Sequence, residues 1–275
     1  MTADIDYEAE YNNRARVPEH PSVIAGWARE AQAWRGSQQR AFHTISYGPN
    51  ARHTIDVFPA RNQGAMVVFI HGGYWQALDG SFFSHLAAGL NAHGVSVAIP
   101  SYDLCPQVSI EDIIAQMRDA ARELARLGRR LVISGHSAGG HLAACLLATD
   151  WRSIDASLPE DLVKAAYTIS GLFDLGPLVK TSINHALGLD ETSARQASPL
   201  FWPAPLRGGL DAAVGGDESA EYFRQSRTIV DAWRGGGIET RFAEVPGANH
   251  FTAIAPLADP HSPMTLRLRD LAIGP

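Results

Sequence analysis

Apolar residues follow two different periods along the chain. Ala65-Met66-Val67-Val68-Phe69-Ile70, Val95–Ile99, Leu131–Ser134 and Ala165–Ser170 are short, nearly continuous apolar runs. Runs of this length predict strands covered on both faces, as in a parallel sheet. Ala212–Val214 and Thr240–Val245 add two more. Ahead of them, Ala41–Tyr47 and His53–Phe58 alternate around Gly48-Pro49-Asn50, which predicts an antiparallel hairpin. Helical spacing marks Phe82–Asn91, then the segment from Ile110 to Leu127 behind the Ser109/Asp112 capping pair. It also marks the stretch after Ser137, through Leu142, Cys145 and Leu146, and Ala220–Arg234, which Gly235-Gly236-Gly237 stops. A closing helix follows the last strand. Eight strands, with helices between most of the later ones, predict an α/β fold with a mostly parallel sheet and helices on both faces.

Residues 1–40 read as a helical arm. Within it Val23, Trp27, Ala31 and Trp34 share one face, and Tyr11 and the tryptophans are placed to cover the mouth of a pocket. Gly171–Leu210 is irregular with short helical pieces, and no large inserted lid domain is expected. With no repeat, low-complexity block or linker, residues 1–275 are expected to form one domain.

In such sheets ligands sit beyond the carboxyl ends of the strands. Four polar stretches, three of them glycine-bearing, fall there: His71–Trp75, Gly135–Gly139, Gly215–Ser219 and Asn249–His250. Gly135-His136-Ser137-Ala138-Gly139 is a G-x-S-x-G turn between strand and helix, with Ser137 at its apex. A serine hydroxyl is nearly inert at neutral pH. It needs an imidazole to take its proton and a carboxylate to orient that imidazole. Asp217 and His250, each just after a strand, supply the acid and base in the order serine, acid, histidine. Asp174 and Asp211 compete for the acid role, and His261 for the base. Asp211 opens its strand, Asp174 follows the strand before, and His261 lies beyond the next helical segment among prolines. Gly72, Gly73 and Tyr74, with Ala138, place backbone N–H groups where a tetrahedral oxyanion would form, and one such donor contributes about 3 kcal/mol. Tyr74 and Trp75 are candidates to stack on an aryl group of the substrate. His136 and His141 are assigned structural roles.

Composition narrows the partners. The chain has 275 residues, 45% hydrophobic, and a net charge of −6 with no basic run. A nucleic acid or an anionic membrane is therefore not expected as main partner. Cys105 and Cys145 form no disulfide framework. The acidic N-terminus lacks the features of a signal peptide, and no apolar run approaches the ~18 residues of a membrane span, so a cytoplasmic protein is expected. There is no H-E-x-x-H, C-x-x-C, G-x-x-x-x-G-K-[ST] or G-x-G-x-x-G pattern, so neither a metal nor a nucleotide cofactor is expected. The expected partner is a small-molecule substrate, and a homodimer is the working expectation for assembly.

These motifs also carry a family resemblance. His-Gly-Gly-Tyr-Trp at 71–75, Tyr-Asp-Leu-Cys-Pro at 102–106 and Gly-His-Ser-Ala-Gly-Gly-His at 135–141 resemble the kynurenine formamidase (arylformamidase) branch of the α/β-hydrolases. So do Gly-Asp-Glu-Ser at 216–219, followed by Arg224-Gln225-Ser226, and Asn-His-Phe at 249–251. The likeness runs from about Tyr11 to the C-terminus. Hormone-sensitive-lipase esterases carry a third glycine where Tyr74 stands and an arginine where Asp103 stands, which favours the formamidase branch. The resemblance implies an α/β-hydrolase fold with Ser137, Asp217 and His250 as triad and no cofactor. It also implies cleavage of a small aryl formamide, of the N-formyl-kynurenine kind, or of a short-chain ester through an acyl-enzyme. The alternatives are a general short-chain carboxylesterase and a non-catalytic scaffold of the same fold. Scaffolds of that kind usually lose a triad member, and all three are present here.

Overall fold

The computed structural model describes residues 5–38, 42–61 and 64–274. Positions 39–41, where the arm is expected to end and the hairpin to begin, lie outside them. Eight strands are present: β1 (His43–Ser46), β2 (Thr54–Phe58), β3 (Met66–Ile70), β4 (Val97–Pro100), β5 (Leu131–His136), β6 (Val163–Ile169), β7 (Gly209–Gly215) and β8 (Glu239–Val245). They form one sheet in the order β1-β2-β4-β3-β5-β6-β7-β8. β1 runs antiparallel to β2, and β2 to β4; every other pairing is parallel. The parallel register, with Ile70 beside Gly135 and Gly135 beside Thr168, brings the carboxyl ends of the central strands to one edge. All four polar stretches singled out above emerge there.

The helices are α1 (Tyr7–Tyr11), α2 (Asn13–Arg16), α3 (His20–Ser37), α4 (Ala87–Ala92), α5 (Ile110–Ala125), α6 (Ala138–Leu147), α7 (Trp151–Ile154), α8 (Asn184–Leu187), α9 (Glu191–Gln196), α10 (Ala220–Gly235) and α11 (Pro263–Ile273). Alternation along β3 shows why its sequence is apolar throughout. Met66, Val68 and Ile70 enter one core with Ile113 and Met117 of α5, Leu142 of α6 and Trp233 of α10. Val67 and Phe69 enter a second core with Trp27 of α3, Leu90 of α4 and Leu268 of α11. A strand covered on both sides has no solvent face to make polar. β8, at the edge, is largely exposed along its length.

Two boundaries differ from expectation. Phe82–Asn91, expected as one helix, is a 3₁₀ segment over Gly80–Leu86 followed by α4. The Ser81 carbonyl accepts from the Arg35 guanidinium of α3, which takes it out of an ordinary helical ladder. β4 starts at Val97 rather than Val95. The Val95 N–H closes a turn onto the Leu90 carbonyl at 3.1 Å, and the Ser96 hydroxyl accepts from the Ala60 N–H at 2.9 Å. The capping pair is present as expected: Ser109 Oγ accepts from the Asp112 N–H at 3.1 Å, and Asp112 Oδ2 from the Ser109 N–H at 2.9 Å. Cys105 and Cys145 are both buried free thiols.

Candidate active site

β5 passes into α6 through Ser137, whose backbone sits at φ 55°, ψ −117°. A residue with a side chain is strained there, at a cost of about 1–3 kcal/mol, and surrounding structure must hold it. The Ser137 N–H donates to the Ile169 carbonyl at 2.8 Å, and its own carbonyl accepts from the His141 N–H at 3.1 Å. The flanking glycines are needed for space. A Cβ on Gly135 would lie 2.1 Å from the Gly139 carbonyl oxygen, and one on Gly139 would lie 1.9 Å from that of Ile70. Strand, serine and helix can meet this tightly only without those carbons. The expected elbow is therefore formed, with the serine at its tip and the N-terminal N–H groups of α6 behind it.

His250, in the turn after β8, donates from Nδ1 to Glu218 Oε2 at 2.7 Å. The Glu218 side chain is fully buried, and its other oxygen accepts the Gly215 N–H at 2.7 Å and the Ser170 hydroxyl. The carboxylate that meets His250 is therefore Glu218, and not Asp217, which was expected at this position. The physical reason is the turn that follows β7. Glu218 N–H donates back to the Gly215 carbonyl at 3.1 Å, so the fourth residue of the turn folds inward beneath His250. The third, Asp217, is exposed on the outside. The extra methylene of glutamate lets the inward position reach the imidazole. His136 holds the other side of His250, donating from Nε2 to the His250 carbonyl at 2.8 Å. The Tyr222 ring stands 4.7 Å from the imidazole, centre to centre.

A cavity of about 440 Å³ opens beside these groups, with Ser137, His250, Gly72, Gly73 and Tyr74 on its inner wall. Among the described residues, no backbone acceptor takes the N–H groups of Gly72, Gly73 or Tyr74. Ala138, whose N–H starts α6, is fully buried directly after the serine. Trp27, Phe83 and Phe251 form an apolar side, and Tyr11 and Asn13 of the arm close the rim. Trp75 departs from its expected role as a substrate contact. It is completely buried and meets His141 edge-on at 5.0 Å. Gly73, Tyr74 and Trp75 all have positive φ, and this tight turn sends Tyr74 to the cavity and Trp75 into the core. Tyr11 and Trp27 do lie at the cavity; Trp34 does not line it.

The Tyr74 hydroxyl donates to the Tyr11 carbonyl at 2.6 Å and lies 2.7 Å from the Tyr222 hydroxyl, which accepts from Asn13 Nδ2 at 2.7 Å. Sequence reasoning missed Glu218, Ser170, Tyr222 and Asn13. Glu218 directly follows Asp217 and Ser170 directly follows β6; Tyr222 and Asn13 carry no local signal.

The alpha/beta hydrolase fold family matches residues 67–252 of the chain. Kynurenine formamidase of Danio rerio is 30% identical over 226 residues, covering 78% of this chain and 76% of that protein. The chain belongs to the α/β-hydrolases, in their kynurenine formamidase-like branch. The Drosophila melanogaster kynurenine formamidase is likewise 30% identical, over 83% of this chain and 81% of its own. A crystal structure from Silicibacter sp. TM1040, to which thioesterase activity is ascribed, superposes with a TM-score of 0.85 at 34% identity, covering 96% of this chain and 98% of that one. The Pyrobaculum calidifontis esterase shares the fold with a TM-score of 0.71 at 17% identity, over 91% and 92% of the two chains.

Three histidines of this hydrolase are buried and held neutral. Burial lowers the pKa of His71 to about 4 and that of His141 to about 4, from an ordinary 6.5. Burial, followed by the nearby His250, pushes His136 well down. Between pH 6.5 and 4 the unfolded chain binds protons at these positions that the folded chain refuses. Stability must then fall as pH falls through that window, and for His71 and His141 the loss levels off below about 4. The two alone contribute a slope of about 2.4 kcal/mol per pH unit in the middle of the window. Urea midpoints should drop steadily from pH 7 to 4.5, and a midpoint independent of pH over that range would contradict the neutral assignment.

Proposed function

We propose that Ser137, His250 and Glu218 form a nucleophile–base–acid triad that hydrolyses a small aryl formamide, of the N-formyl-kynurenine kind, through an acyl-enzyme. The single observation that carries it is the buried 2.7 Å contact between His250 Nδ1 and Glu218 Oε2, on the cavity that Ser137 also lines. With Nδ1 protonated and engaged, Nε2 is the nitrogen left to accept the serine proton. Ser137 Oγ attacks the carbonyl, and the N–H groups of Gly72, Gly73, Tyr74 and Ala138 are the candidate donors to the oxyanion. The imidazolium then protonates the departing amine. Water, activated by the same imidazole, releases formate and restores the serine.

Two things favour an aryl formamide: the relatives at 30% identity are named kynurenine formamidases, and the cavity side formed by Trp27, Phe83 and Phe251 suits an aromatic leaving group. Short-chain ester or thioester cleavage is the second reading, favoured by the thioesterase activity ascribed to the relative at 34% identity. Both use the same residues and need no cofactor. Residues 1–275 act as one cytoplasmic catalytic unit, as a homodimer, on a small-molecule substrate. The net charge of −6 with no basic run disfavours nucleic acid or an anionic membrane as main partner.

The test compares kcat/KM for N-formyl-kynurenine with that for p-nitrophenyl acetate. The formamide is expected to be the better substrate. Efficient ester cleavage with negligible formamide cleavage would transfer the assignment to the esterase reading.

A further inference from the structure

We infer that Arg14 is a specificity-determining residue that binds a carboxylate on the substrate, away from the bond that is cleaved. Given that the cavity beside Ser137 receives the substrate, its charge pattern selects an anionic one. Arg14, on α2, lines this cavity together with Ser137 and His250. Among the described residues no aspartate or glutamate lines it, and Arg14 is its one permanently charged side chain. His136, also on the wall, is held neutral by burial. The Arg14 guanidinium has no hydrogen-bond or ion-pair partner among the described residues.

That isolation contrasts with its neighbours. Glu8 is engaged by the Ser182 N–H at 2.7 Å, the Ser182 hydroxyl at 2.8 Å and Asn12 Nδ2 at 3.0 Å. Glu221 is engaged by Arg224 Nε at 2.7 Å and the Tyr11 hydroxyl at 2.7 Å. Glu8 and Glu221 are thus committed to other partners.

The backbone carrying Arg14 is also fixed in advance. Just ahead of it the Tyr11 carbonyl accepts from the Tyr74 hydroxyl, and Asn13 Nδ2 donates to Tyr222 at 2.7 Å. A guanidinium presented from an anchored turn meets a carboxylate with a fork of N–H donors and loses little freedom in doing so. The cavity therefore offers a nucleophile and base, aromatic rings and one exposed cation on its wall. The complementary molecule is an aryl compound bearing a carboxylate on its leaving-group portion.

The test reads binding rather than turnover. Calorimetric titration of the Ser137→Ala protein with benzoylpropionate and with its carboxamide compares an aryl carboxylate with a neutral ligand of the same shape. The carboxylate should bind about ten-fold more tightly, as expected for a charge-assisted contact. In Ser137→Ala/Arg14→Gln the two should bind equally, and Arg14→Lys should keep part of the preference. Equal affinities with Arg14 in place, or a preference that survives Arg14→Gln, would overturn the assignment. Failure of the proposed chemistry is seen separately, as absence of turnover by the unmodified enzyme.

Discussion

Ser137→Ala should lower kcat against every ester and formamide by about 10⁶-fold, the scale on which loss of the nucleophile is felt in other serine hydrolases. Folding should be little affected, because alanine can be held in the same strained conformation by the same contacts to Ile169 and His141. Substrate should still bind, since the cavity wall is otherwise unchanged. Single-turnover kinetics and covalent labelling by a fluorophosphonate check the point directly. The wild type should label stoichiometrically and the variant not at all. Retention of more than about one hundredth of the activity would move the nucleophile to another residue.

The second large effect separates two adjacent acids. Glu218→Gln should cost on the order of 10⁴ in kcat, whereas Asp217→Asn should leave activity near that of the wild type. The amide keeps the size of the side chain, but it can turn its NH₂ toward His250 Nδ1. That would favour the tautomer whose Nε2 carries the proton and so cannot accept one from Ser137. Asp217 has no such leverage, being exposed on the outer side of the turn. Glu218→Asp should fall between them, since it keeps the charge but loses the reach. The opposite ranking, with Asp217→Asn severe and Glu218→Gln mild, would return the acid role to Asp217.

The difference between those two residues also marks how far the sequence could be read. Strands buried on both faces, such as β3 and β5, are visible because their periodicity disappears into continuous apolar runs. The elbow is visible because its steric demands leave glycine at Gly135 and Gly139. The choice between Asp217 and Glu218 is set by a turn whose inward and outward positions differ by one residue. No periodic pattern operates over so short a span. Trp75 illustrates a second limit, since three consecutive positive φ angles decide which of two neighbouring aromatics faces the cavity. Arg14 illustrates a third: its position on the wall comes from contacts more than 60 residues apart in the chain, such as Asn13 with Tyr222.

The arm has a consequence for how this protein could change over time. Tyr11, Asn13, Arg14 and Trp27 shape the entrance, while every group assigned to bond-making lies after Ile70. Part of recognition is therefore encoded apart from reaction, although Phe83 and Phe251 share the later stretch with the reacting groups. A lineage could exchange its first forty codons, or accumulate changes there, and acquire new substrates without risking the machinery that cleaves them. The groups that anchor the arm, among them the hydroxyls of Tyr74 and Tyr222, Ser182 and Glu221, would have to find new partners at the seam.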